Sequence, residues 1–193
     1  SKPIAIPSII SVHQCSSVLI NKTTSPVPNE SPSSLNWSQV ELFAMDVDGV
    51  LTDGCIYVSS DGSETKRFSI IDGLGLVKLR EAGVKVAWIS GRGSEATTRR
   101  ANELKIEYVV QGRKDKETAL TALLEELGLK PEQAVYMGDD TIDTAAIELA
   151  GIGVAVPEAQ PEPLAAADYV TSKTGGNGAV REICNHILAA RSQ

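Results

Sequence analysis

The chain has 193 residues, of which 42% are hydrophobic, and a formal charge of −7. That length supports one domain with a sizeable core, and the apolar content excludes wholesale disorder. The acidic balance without a basic stripe excludes a nucleic-acid binder, and no apolar run reaches the roughly 18 residues of a membrane span. The first stretch, residues 1–36, is rich in Ser, Thr and Pro and poor in acids. It reads as a flexible tail, with "TTSPVPNESPSS" as a linker. Within it, "AIPSIISVHQCSSVLI" is a weak match to the apolar region of a signal peptide. Pro7, His13 and Gln14 interrupt it, and no strongly basic segment precedes it. The folded domain is expected from Trp37 onward, over 37–193.

From there apolar strands and helices alternate. "ELFAMDV" is the first strand. "GCIYVSSDGSETKRFSI" follows as a β-hairpin around "SSDGS". "DGLGLVKLREAG" is a helix, "GVKVAWIS" a strand, "SEATTRRANELK" a helix and "IEYVVQG" a strand. "DKETALTALLEELGLK" is an amphipathic helix with Gly128 near its end and Pro131 beyond. "QAVYMGD", "DTIDTAAIELAG", "IGVAV" and "GAVREICNHILAARSQ" complete the alternation, the last as a terminal helix. This order predicts an α/β fold, a Rossmann-like doubly wound parallel sheet with a hairpin after the first strand and no cap domain. In such sheets the chemistry lies at the carboxyl ends of the strands.

Those ends are polar. The first strand delivers Asp46, Asp48 and Thr52; the second delivers Ser90, followed by Gly91 and Arg92. Lys114 and Lys116 follow the third strand, and Asp139, Asp140 and Asp143 the fourth. Carboxylates repel, so a cluster of them at a strand end suits a hard cation. Mg²⁺ takes oxygen ligands, usually one or two carboxylates completed by water and phosphate. Asp46 and Asp139 fit that role, Lys116 offsets further negative charge, and the Ser90 hydroxyl can donate to a bound anion. Each feature has a plainer explanation: "DxD" as a turn, Ser90 as a helix cap, Lys116 as a surface lysine. Their joint order, each at a strand end, favours a catalytic site over these plainer explanations.

The opening "DVDG", the Ser after the second strand, the later Lys and "GDD" resemble the haloacid dehalogenase superfamily of phosphotransferases. "DVDGVLTDG", "SGR", "QGRKDK", "GDDTID", "ADYVT" and "GGNGAVRE" together resemble its capless 3-deoxy-D-manno-octulosonate 8-phosphate phosphatases. The resemblance spans about Leu42 to Ala190. It implies catalytic roles for Asp46 as nucleophile, Asp48 as general acid and base, and Ser90 and Lys116 as binders of the transferring oxygens. It implies Mg²⁺ held by Asp46, the backbone carbonyl of Asp48, and Asp139, with Asp140 orienting Lys116. Substrate contacts are implied at Ser69, Asp72, Gly73, Arg92 and Arg100. At about 100° per residue Arg99 rather than Arg100 falls under Arg92, and the resemblance selects Arg100. Asn177 stands where the family form carries a basic residue. The family implies a homotetramer in which the hairpin and a neighbouring subunit close the site. Cys15, Cys55 and Cys184 are odd in number and widely spaced, which fits a reducing cytoplasm. A related nine-carbon sugar-acid phosphatase, a non-catalytic regulatory or oligomerisation domain of the kind fused to sugar-acid cytidylyltransferases, and a receiver-type signalling domain are the alternatives. Arg92 suits the carboxylate of an eight-carbon acid, and a receiver lacks an acid two residues after its acceptor.

Overall fold

The computed structural model describes residues 34–192. The region resembling a signal peptide lies outside them, as does most of the expected tail. Leu35 already packs against the core, and Trp37 is buried in a short 3₁₀ turn, stacked on His186 and edge-on to Tyr169.

Six parallel strands form one sheet in the order β5-β4-β1-β6-β7-β8. They are β1 (Leu42–Met45), β4 (Lys85–Ser90), β5 (Tyr108–Gln111), β6 (Ala134–Gly138), β7 (Ile152–Ala155) and β8 (Tyr169–Val170). β1 lies between β4 and β6, and all four of its residues are buried. Covered on both faces, it reads as a continuous apolar run rather than an alternating one. The chain leaves β1 towards β4 and β5, then returns to the other side of β1 at β6. The crevice between the ends of β1 and β6 is therefore the topological switch point, where such sheets bind ligands. β8 went unpredicted because two residues carry no readable periodicity; it pairs with β7 through Val154–Tyr169 and Ala155–Val170.

The helices are α1 (Ile70–Glu81), α2 (Glu95–Leu104), α3 (Lys116–Leu127), α4 (Thr144–Leu149), α5 (Pro161–Ala166) and α6 (Ala179–Arg191). α1 packs on α6 and α2, while α4 packs on α3 and α5, so helices cover both faces. Ser69, Ser94 and Asp115 cap α1, α2 and α3 by accepting from backbone N–H groups in the first turn. Gly128 ends α3 in the left-handed conformation, as its position in the sequence suggests. The hairpin is shorter than expected, with β2 (Tyr57–Val58) and β3 (Glu64–Thr65) paired over two residues each. Tyr57 and Val58 are exposed, so no core holds a longer ladder in place. Among the described residues no domain is inserted over the sheet's carboxyl edge.

Candidate active site

Asp46 follows β1 directly, and its backbone N–H donates to Met137 of β6. That bond fixes the residue at the switch point. Its side chain is held at both oxygens: Oδ1 accepts from the Val47 N–H at 2.6 Å, and Oδ2 pairs with Lys116 Nζ at 2.8 Å. Lys116, the first residue of α3, reaches under the sheet edge and is buried. It also donates to Asp143 Oδ1 at 2.7 Å.

Asp143, rather than Asp140, orients Lys116, which corrects the expectation from the acidic motif. The 3₁₀ turn Thr141–Asp143 carries Asp143 back beneath β6 and leaves Asp140 exposed at its N-cap, accepting from Thr141. The Asp143 carboxylate accepts four times. Oδ1 takes Lys116 Nζ and the Tyr136 hydroxyl at 2.8 Å; Oδ2 takes the N–H groups of Asp139 and Asp140. Its lone pairs are spent on protein donors, so it braces the site rather than offering itself to a ligand.

Carboxylate oxygens of Asp46, Asp139 and Asp143 lie within 4.8 Å of one another. Three carboxylates face one ammonium, an excess that a divalent cation matches. Burial, reinforced by the charge of Asp143, pushes Asp46 above the ordinary carboxylate range despite the opposing pull of Lys116. Burial and the charges of Asp46 and Asp143 push Asp139 up to about 8. Burial alone would lower Lys116, but Asp46 and Asp143 outweigh it and hold the lysine above its usual value. Asp139 Oδ1 is buried with no hydrogen-bond partner. Gly49, at φ +89°, leaves the space beside this carboxylate open; a Cβ there would fall 2.1 Å from Asp139 Oδ2. An orphaned carboxylate oxygen beside Asp46 is what a Mg²⁺ site presents before its ion arrives, and the residues fit that ion.

A cavity of about 310 Å³ opens over this cluster, lined by Asp46, Asp48, Arg92, Lys114, Asp139 and Asp140 among others. Lys114, noted beside Lys116 in the sequence but given no role, stands in it. The Ser90 hydroxyl, at the end of β4, is buried and donates to the Arg92 carbonyl at 3.0 Å. Arg92 reaches Glu64 of the hairpin at 2.8 Å.

The remaining expected substrate residues stand elsewhere. Ser69, Asp72, Gly73 and Arg100 do not line this cavity. Ser69 caps α1. Asp72 is buried and accepts from the Gly178 and Arg181 N–H groups, serving the start of α6 rather than capping its own helix. Arg100 crosses to the Ser69 carbonyl and to Glu103, and its guanidinium abuts Gly73. Arg99 is a surface residue paired with Glu95, so of the two arginines Arg100 is the one turned inward. Asn177 accepts from Arg67, whose guanidinium also meets Asp53 and the Gly176 carbonyl. The residue that sequence reasoning missed is Lys66, paired with Asp48 Oδ1 at 2.6 Å.

The doubly wound sheet with Asp46, Lys116 and Asp139 at its switch point defines a haloacid dehalogenase-like hydrolase, and the profile of those hydrolases matches residues 107–183. The 3-deoxy-D-manno-octulosonate 8-phosphate phosphatase of Escherichia coli K12 is 42% identical over 154 residues, 80% of this chain and 82% of that protein. The Yersinia pestis phosphatase of the same name is 43% identical over 156 residues, 81% of this chain and 83% of its own. The crystal structure of the Moraxella catarrhalis phosphatase, in complex with magnesium, phosphate and KDO, superposes with a TM-score of 0.80 at 48% identity. It covers 81% of this chain and 90% of that one. The chain belongs to the 3-deoxy-D-manno-octulosonate 8-phosphate phosphatase family.

Proposed function

We propose that this protein is a Mg²⁺-dependent phosphoric monoester hydrolase that converts 3-deoxy-D-manno-octulosonate 8-phosphate to the free sugar acid and phosphate. The observation that carries the reading is the pair Asp46 and Asp48, both opening onto one cavity beside Arg92 and Asp139. Asp46 and Asp139, with the Asp48 carbonyl, would hold Mg²⁺, which when bound offsets phosphate charge and orients the phosphoryl group.

Asp46, braced at both oxygens, attacks phosphorus; the bond from phosphorus to the sugar oxygen breaks and an aspartyl phosphate forms. A sugar alkoxide leaves poorly, so Asp48 gives it a proton. Asp48 then takes a proton from water, which attacks the aspartyl phosphate, frees inorganic phosphate and restores Asp46. Lys116 offsets charge on the nucleophile through both steps, and the Ser90 hydroxyl turns from the Arg92 carbonyl to bind a transferring oxygen. The planar guanidinium of Arg92 suits the sugar-acid carboxylate.

The reading includes a homotetramer. Ile56, Tyr57 and Val58 on the hairpin and Ile70, Ile71 and Leu74 on α1 are exposed apolar residues that a neighbouring copy would cover. Ser69 and Arg100, both partly exposed, adjoin the α1 patch away from their own cavity, while Gly73 is buried beneath the Arg100 guanidinium and supports it. We also place the enzyme in the cytoplasm, consistent with Cys55 and Cys184 being free thiols, and start the folded domain by Leu35, which packs against the core, not at Trp37.

Phosphate release from a panel of phosphorylated sugar acids, with and without Mg²⁺, tests the reading. The eight-carbon 8-phosphate should give the highest kcat/KM. Preference for a nine-carbon 9-phosphate, or no release at all, overturns it.

A further inference from the structure

Lys66 is the least explained charge near the site. It follows β3, its side chain has no exposure, and it does not line the cavity. A buried ammonium is costly unless paired. Its neighbours are Asp48 Oδ1, an ion-pair contact at 2.6 Å without hydrogen-bond alignment, Thr97 Oγ1, to which it donates at 3.3 Å, and Glu64 Oε1 at 3.9 Å. Two residues earlier on the same face of the strand, Glu64 accepts from Arg92 at 2.8 Å and from the Ser94 hydroxyl at 2.7 Å. The hairpin therefore reaches the loop after β1 through Lys66 and the start of α2 through Glu64.

We propose that Lys66 is a positioning residue for Asp48: it clamps Oδ1 so that Oδ2 faces the cavity as the proton donor and acceptor. Asp48 itself lines the cavity, its side chain is partly exposed, and among the described residues Oδ2 forms no ion pair. A carboxylate free to turn at the end of its side chain presents its oxygens in many directions. An acid must hold one within hydrogen-bond reach of the leaving oxygen. Thr97, buried in the first turn of α2, anchors the ammonium from behind. The clamp is thereby referred to the sheet and its helices, not to the exposed hairpin tip.

This rests on Asp48 being the acid and base, and its test separates the two ideas. Lys66→Met keeps the length of the side chain and removes the charge. Nitrophenolate needs no proton on leaving, so aspartyl phosphate formation from 4-nitrophenyl phosphate does not use the acid. For that ester, kcat/KM should stay within about threefold of wild type, whereas for the sugar phosphate it should fall by about 30-fold or more. Water activation still needs Asp48, so the variant should show a burst of one nitrophenolate per active site before a slow steady state. Equal losses on both esters, or no loss on either, overturn the assignment. The burst does not depend on which sugar acid is natural, so a wrong substrate leaves that arm intact. Where Lys66→Met fails to fold by circular dichroism, Thr97→Val carries the same test, with the same division between esters and a smaller loss. If Thr97→Val shows no such division, the proposal fails.

Discussion

The Lys116 ammonium and the Asp143 carboxylate form an ion pair of 2.7 Å in which neither side chain has any exposure. A buried pair of this kind is weak evidence for stability in itself, but removing one partner leaves the other uncompensated. Asp143→Asn turns an amide group towards a pocket of donors: Lys116, the Tyr136 hydroxyl and two backbone N–H groups. The variant should lose about 3 kcal/mol of stability in urea melts and most of its turnover. Asp140→Asn should lose little stability, because Asp140 is exposed and its side chain caps only its own turn.

Asp46→Asn should abolish phosphate release, since no other group in the cavity is braced as a nucleophile. The fold should survive: the substitution relieves repulsion from Asp143, and an amide can still accept at Oδ1 from the Val47 N–H. Calorimetry beside a steady-state assay checks both halves.

Asp139 links stability to pH with a definite sign. Its carboxyl sits at about 8 in the metal-free fold against 3.8 ordinarily. Between these values the unfolded chain has released the proton and the folded one still holds it. Its contribution to metal-free stability therefore falls as pH rises through that window and levels off above it. Mg²⁺ competes with the proton for the same oxygens, so the Tm gain from Mg²⁺ should be larger at about pH 8.5 than at about pH 6. Asp139→Asn should remove most of the Mg²⁺ response.

Arg92 is half exposed and tied to Glu64, not buried, so its loss should cost less than that of a buried charge. Arg92→Ala should lower kcat/KM for the sugar-acid phosphate by about 2 kcal/mol, the scale of one charge-assisted hydrogen bond. It should leave 4-nitrophenyl phosphate nearly unchanged. An equal loss on both would place Arg92 in the phosphoryl chemistry or the fold.

Ile70→Asp together with Leu74→Asp puts charge into the exposed apolar face of α1. On the proposed tetramer, light scattering should show a smaller assembly than wild type, with kcat/KM reduced. A fully active wild-type monomer at assay concentration would count decisively against the assembly.

Gly175→Ala tests the seam between the terminal loop and the loop after β1. A Cβ at Gly175 would lie 1.8 Å from the Gly49 carbonyl oxygen, which is backbone and cannot swing aside. The loop must shift, at a cost of about 1–3 kcal/mol, and carry Gly49 off its place beside Asp139. Activity should fall further than the melting temperature implies.

Much of this was legible in the sequence because it is local. Apolar runs of strand length, Gly128 beyond a helical stripe and acids directly after the first and fourth core strands are set by neighbours within a turn or a pleat. Their order alone places Asp46 and Asp139 at one sheet edge. What the tertiary structure alone decided are pairings between distant residues. Asp143 displaced Asp140 because a 3₁₀ turn rotates it under β6, a difference of direction between near neighbours of the same chemistry. Asp72 serves α6 across 106 residues. Ser69, Gly73 and Arg100 gather beyond the cavity because α1 and α2 lie side by side on one face of the sheet. Lys66 meets Asp48 only because a hairpin folds back over the end of β1. Alternation along β3 does put Glu64 and Lys66 on one face, but nothing in the chain names what that face touches. A buried charge finds its partner through the packing of whole elements, and that information is spread over the fold, not written beside the residue.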